Sequence, residues 1–128
     1  MTTTAMNLVT AAKAGIENLT PGEVKSEITS NGVLLVDVRE PTETQNGIIP
    51  GALLAPRGML EFHADASTPY HLEEFSVDRR VIVYCAAGSR SALAAKTLQD
   101  LGYSDVAHLD SGFKGWQEAG YPIEQRES

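Results

Sequence analysis

Cys85 is the only cysteine in the 128-residue chain, and it ends an apolar run, Val81-Ile82-Val83-Tyr84. Arg90 follows it after Ala86, Ala87, Gly88 and Ser89. A thiol at the top of a strand, facing the start of a helix, sits among unpaired backbone N–H groups and the positive end of the helix dipole. Both favour the thiolate, which is the nucleophilic form. The small residues between Cys85 and Arg90 let backbone amides point inward at a ligand. Arg90 is always cationic, and its position at the helix end that disfavours cations points to an anion bound there. Cys85 and Arg90 are therefore the candidate catalytic residues, and Ala86, Ala87, Gly88 and Ser89 the candidate substrate-binding backbone. A free cysteine is commonly an inert core residue. A place at a strand-to-helix turn built from small residues favours the nucleophile.

Three charged residues stand where they could support that turn. Asp37 ends another apolar run, and Arg39 lies two residues on, on the same side if the strand continues. They read either as a structural ion pair that fixes a loop or as direct substrate contacts, and we assign them to structural support. Arg57 follows a short strand and either lines the rim as a substrate-binding residue or is simply exposed. Glu61, His63 and Asp65 alternate with His71 nearby, but two histidines without a defined spacing in a polar segment define no metal site. His108 lies within an apolar strand and reads as structural. Ser89 is outside any G-x-S-x-G elbow, so a serine-hydrolase triad has no support.

Positioning these groups needs an alternation of strands and helices. Thr20-Pro21-Gly22-Glu23 has the form of a capping box with Pro at the first helical position, opening a helix to about Thr29 that Asn31-Gly32 ends. A short strand over residues 16–19 precedes it. Residues 33–38 form a second, central strand, residues 52–55 a short third and residues 59–64 a helical turn. Residues 65–80 cross the surface. Residues 81–84 form the strand before Cys85, and a helix runs from Ser91 to Leu101. Residues 106–109 form the last strand, and a closing helix carries Phe113 and Trp116. This order predicts an α/β domain with a mainly parallel sheet, whose ligands bind at the strands' C-terminal ends. Residues 1–15 read as an arm or short helix, residues 16–124 as the domain, and residues 125–128 as a tail.

Composition narrows the partners. A hydrophobic fraction of 42% and a charged fraction of 21% are ordinary for a globular domain. The net charge of −7 argues against nucleic acid and anionic membranes, so an anionic substrate must be attracted locally. One cysteine excludes an internal disulfide or a thiolate metal cluster. We expect a cytoplasmic protein, a monomer or weak dimer, with no cofactor.

Four separated segments together resemble the rhodanese family of sulfurtransferases: Leu35-Val36-Asp37-Val38-Arg39-Glu40, Ile49-Pro50-Gly51-Ala52, Tyr84-Cys85-Ala86-Ala87-Gly88-Ser89-Arg90-Ser91-Ala92, and Leu109-Asp110-Ser111-Gly112-Phe113 with Trp116, Gly120 and Pro122. The resemblance covers residues 16–124. It implies a three-layer domain with a five-stranded parallel sheet and helices on both faces. It also implies that Cys85 carries sulfane sulfur as a persulfide, that Arg90 helps bind a small anionic donor such as thiosulfate, and that cyanide or a thiol takes the sulfur. Two positions depart from the family pattern: Ile48 stands where a histidine is usual, and Ser111 where a glycine is, a change that disfavours positive φ in the rim loop. Cysteine phosphatases on a related fold carry five residues between Cys and Arg, one more than here. Phosphatase or arsenate reductase activity, or a sulfur-carrier or protein-interaction role, are the alternatives.

Overall fold

The computed structural model describes residues 2–30 and 32–125. Asn31 and the tail residues 126–128, both named above, lie outside the described residues. In chain order the elements are α1 (Ala5–Ala14), β1 (Glu17–Leu19), α2 (Pro21–Ile28), β2 (Leu34–Asp37), β3 (Leu53–Leu54), α3 (Leu60–Ala64), β4 (Val81–Tyr84), α4 (Ser89–Asp100), β5 (Val106–Leu109) and α5 (Gly112–Glu118). Single 3₁₀ turns at Glu43–Asn46 and Arg57–Met59 flank β3.

The five strands form one sheet in the order β1-β5-β4-β2-β3, and every pairing is parallel. Strand parity sorts the core into two layers. Val81, Val83 and Cys85 join Leu34, Val36 and Val38 on the face covered by α3 and α4. Ile82 and Tyr84 join Leu35 on the other face, with Val24 of α2 and Phe113 and Trp116 of α5. Both faces being buried explains why β2 and β4 are apolar without alternation. The same parity turns the Cys85 side chain toward α4. The central pair β2 and β4 is also where the chain diverges: β2 leads to β3 on one side, β4 to β5 on the other. Such a switch point opens a crevice beyond the strands' C-terminal ends.

Local sequence accounts for the helix boundaries. Thr20 Oγ1 accepts from the Glu23 amide while the Glu23 carboxylate accepts from the Thr20 amide, the reciprocal capping box expected there. Residues 5–14 form a helix whose Val9 and Ala12 pack against Ala92 of α4. Three expectations change. α4 begins at Ser89 and not Ser91, because Gly88 adopts φ +101 and closes the turn two residues sooner. The crossing segment 65–80 is not wholly superficial, since Phe75 is buried against Tyr103. Ser111 has φ −88, so no positive φ is asked of it; the left-handed residue is Gly112.

Candidate active site

The Cys85 thiol is buried at the end of β4 and is surrounded by hydrogen-bond donors. The amides of Gly88 and Ser91 lie 3.2 and 3.3 Å from Sγ, and the Ser91 hydroxyl lies 3.5 Å away. Burial pushes the thiol pKa up, but hydrogen bonds from Ser91 and from the amides of Gly88 and Ala87 outweigh it and leave the pKa below its ordinary value. The turn owes this shape to α5. The amides of Phe113 and Lys114 donate to the carbonyl oxygens of Cys85 (2.8 Å) and Ala86 (3.1 Å). In a planar trans peptide a carbonyl held on one side turns its N–H to the other, and the amide opposite the held Ala86 carbonyl is that of Ala87, which helps lower the thiol pKa. Gly88 is required twice over: its φ is positive, and a Cβ there would come within 2.0 Å of the Asp110 carbonyl oxygen.

Arg90, in the first turn of α4, reaches across to a residue the sequence did not single out. Its two terminal nitrogens donate to the two carboxylate oxygens of Glu43, at 2.7 and 3.0 Å. Those hydrogen bonds hold the Glu43 carboxyl down at about 2, against a smaller opposing effect of burial. Asp37 and Arg39 form the second arginine pair. Arg39 Nη2 meets Asp37 Oδ2 at 2.8 Å and also donates to the Gly47 carbonyl oxygen at 2.9 Å. Both side chains are buried. Arg39 thus ties the segment carrying Glu43 to the end of β2.

Arg57 points elsewhere. Its guanidinium binds Glu61 (2.9 Å) and Thr97 (3.0 Å), about two helical turns along α4 from Arg90. His63 and His71 each place a ring nitrogen against a carbonyl oxygen, of Tyr70 and Phe75. A cavity of about 360 Å³ opens beside the cysteine turn, with Glu43, Ala86, Phe113 and Lys114 in its lining. A larger groove of about 550 Å³ lies between α2 and the Trp116–Tyr121 segment, and its lining contains no thiol, carboxylate or histidine.

A family model described as the rhodanese-like domain matches residues 20–119. The chain belongs to that family. A sulfurtransferase of Allochromatium vinosum is 38% identical over 71% of this chain and 78% of its own length. The thiosulfate sulfurtransferase GlpE of Pseudomonas syringae is 33% identical over 81% of this chain and 90% of its own. Among solved structures, a protein of unknown function from Rhodopseudomonas palustris, described as a possible tyrosine phosphatase, superposes with a TM-score of 0.91 at 42% identity. That match covers 97% of this chain and 96% of the other.

Within this rhodanese-like domain the two departures from the family pattern are absorbed locally. Ile48 is buried, and its backbone exchanges two hydrogen bonds with Glu124, each 2.9 Å. Next to Ser111, a Cβ on Gly112 would meet the Ala86 carbonyl oxygen at 2.4 Å, so glycine is needed at the second position of that loop. Sequence reasoning missed Glu43 and Ser91 as site residues. Ser91 had a signal: moving the helix start back to Ser89 places its amide and hydroxyl in the first turn, facing the sulfur. Glu43 had none, being 47 residues from Arg90 in the chain.

Proposed function

We propose that the protein is a sulfurtransferase that carries sulfane sulfur as a persulfide on Cys85. The observation that carries this reading is the pair of amide donors on Cys85 Sγ, from Gly88 and Ser91, in a site that holds the thiol pKa below its ordinary value. They stabilise negative charge on sulfur in a site closed to bulk water, as oxyanion-type sites do. The thiolate attacks the outer sulfur of thiosulfate; an S–S bond to Cys85 forms, the bond to the sulfonate sulfur breaks, and sulfite leaves with the electron pair. Cyanide or a thiol then takes the terminal sulfur and restores the thiolate, a covalent two-step scheme without a cofactor. Arg90 binds the donor's oxyanion after giving up Glu43. Arg57 joins the rim in this reading only by releasing Glu61 and Thr97. A thiol that must stay reduced fits a cytoplasmic compartment.

The likeness to a possible tyrosine phosphatase makes phosphoryl transfer the second reading. That chemistry wants a proton donor for the leaving group. Glu43, the carboxylate facing Arg90, is held at about 2 and is ionised at neutral pH. The four-residue turn from Ala86 to Ser89 also encloses a smaller space than the five-residue turn of phosphatases.

The test is the intact mass of the protein after thiosulfate, before and after cyanide, with Cys85→Ser alongside. One added sulfur on the wild type only, released by cyanide as thiocyanate, is the expected result. A folded protein with an alkylatable Cys85 that gains no sulfur, yet hydrolyses an aryl phosphate, would overturn the reading.

A further inference from the structure

Behind the nucleophile runs a row of polar groups that sulfur transfer as written above does not use. Cys85 Sγ lies 3.5 Å from Ser91 Oγ, Ser91 Oγ lies 2.8 Å from His108 Nδ1, and His108 Nε2 lies 2.7 Å from Asn18 Oδ1. Cys85, Ser91 and His108 are all buried. Asn18 fixes the sense of this row. Its amide nitrogen donates to the carbonyl oxygens of Lys13 (3.0 Å) and Ile16 (3.1 Å), so the atom facing His108 is the oxygen, which only accepts. Nε2 therefore carries a proton. Burial holds the ring's pKa down to about 4, with Asp110 opposing and Lys13 assisting, so the resting ring is neutral and Nδ1 presents a lone pair. The Ser91 hydroxyl must donate to that lone pair. Having one proton, it faces Cys85 as an acceptor of S–H.

Loss of the thiol proton reverses this order. A thiolate needs Ser91 to donate to it, and a reversed hydroxyl turns its own lone pairs toward Nδ1, a contact that only a protonated Nδ1 satisfies. We propose that His108 is a positioning residue that takes up the Cys85 proton through Ser91, so that the reactive state is a thiolate accepting from Ser91 with an imidazolium behind it. One S–H and one O–H bond break, one O–H and one N–H bond form, and the net charge stays the same. No co-reactant is needed. The surroundings already suit the imidazolium. Ser91 Oγ accepts from Nδ1–H, and Asn18 Oδ1 accepts from Nε2–H. The Asp110 carboxylate stands 3.5 Å from Nε2. Lys13 of α1, paired with Asp110 at 2.9 Å, is the charge that opposes it and keeps the ring neutral until the thiol gives up its proton. The inference rests on Cys85 being the nucleophile and not on the identity of the sulfur donor.

The test is the rate of Cys85 alkylation by iodoacetamide, followed by intact mass between about pH 5 and pH 9. Internal transfer conserves charge, so the thiolate fraction it supplies is independent of pH. The wild-type rate should level off to a plateau on the acid side. In His108→Asn, which keeps a hydrogen-bonding group near Nδ1 but takes no proton, the rate should keep falling about tenfold per pH unit. Ser91→Ala, which removes one oxygen and breaks the row, should behave the same way and carries the test if His108→Asn does not fold. Both variants should approach the wild-type rate at the alkaline end. A merely structural role changes the height of the profile and not its slope, so parallel profiles, or a plateau that survives Ser91→Ala, would overturn the proposal. Thiosulfate loading of the same samples separates the two readings: a plateau without persulfide leaves the relay standing and removes sulfur transfer, and persulfide without a plateau does the reverse.

Discussion

Two arginine–carboxylate pairs stand at the C-terminal edge of the same sheet, alike in chemistry and unlike in setting. In the Asp37–Arg39 pair the side chains are 0% and 5% exposed, and the guanidinium is also bonded to the Gly47 carbonyl and lies 4.3 Å from the centre of the Phe113 ring. In the Glu43–Arg90 pair the side chains are 33% and 39% exposed, and the two terminal nitrogens of Arg90 both donate to that one carboxylate. Removing one partner of a buried pair strands a charge in low dielectric, whereas a solvated pair costs little to open. Arg39 is thereby fixed as scaffold, and Arg90 is left able to trade its carboxylate for another anion. The two are linked, because Arg39 holds the segment that presents Glu43.

The largest effect should come from breaking the buried pair. Arg39→Met leaves Asp37 uncompensated and should cost about 3–5 kcal/mol, read from the midpoint of urea unfolding. A cost below about 1 kcal/mol would put the two pairs on the same footing and remove the contrast. Next comes Arg90→Lys, which keeps the charge but loses the fork. Donor KM should rise about tenfold, with stability within about 0.5 kcal/mol of wild type. An unchanged KM would take Arg90 out of donor binding. Glu43→Gln should act in the opposite direction, lowering donor KM about two- to threefold by removing a competitor, with a stability change under about 1 kcal/mol. A KM that rises would mean that Glu43 orients Arg90 for the donor. The smallest effect is a pH dependence of stability. The folded-state pKa of Glu43 lies below its ordinary 4.5, at about 2, so its pair stabilises the fold above the ordinary value and that contribution is lost as pH falls toward 2. Thermal unfolding should show wild type converging on Glu43→Gln over that acid range; a constant gap would place the stabilisation elsewhere.

Much of the scaffold was legible because its causes are local. The unbroken apolar runs of β2 and β4 announced strands, and the Thr20 and Glu23 spacing announced a capped helix. Period-two parity along Val81, Val83 and Cys85 then sends the thiol to the α4 face. The boundary at Ser91 was misplaced because residues 89 and 90 read equally well as turn or as helix until Gly88 takes a left-handed conformation, at a point where the Asp110 carbonyl leaves no room for a Cβ. That two-residue difference concealed Ser91 as a ligand of the sulfur. An apolar strand likewise gives no sign of which side chains meet His108, here Ser91 and Asn18.

What the sequence by itself determined is the buried thiol of Cys85, its turn of small residues and the arginine that follows, because residues 85–90 are contiguous and their placement depends on strand-to-helix geometry alone. What the tertiary structure decided is the company they keep. Glu43 reaches Arg90 across 47 residues, and Asn18 reaches His108 across 90. Those meetings depend on the strand order β1-β5-β4-β2-β3, which brings β5 beside β1 and β4 beside β2. Burial then settles the roles: the same ion pair is a fixture where water is excluded and an exchangeable contact where it is not.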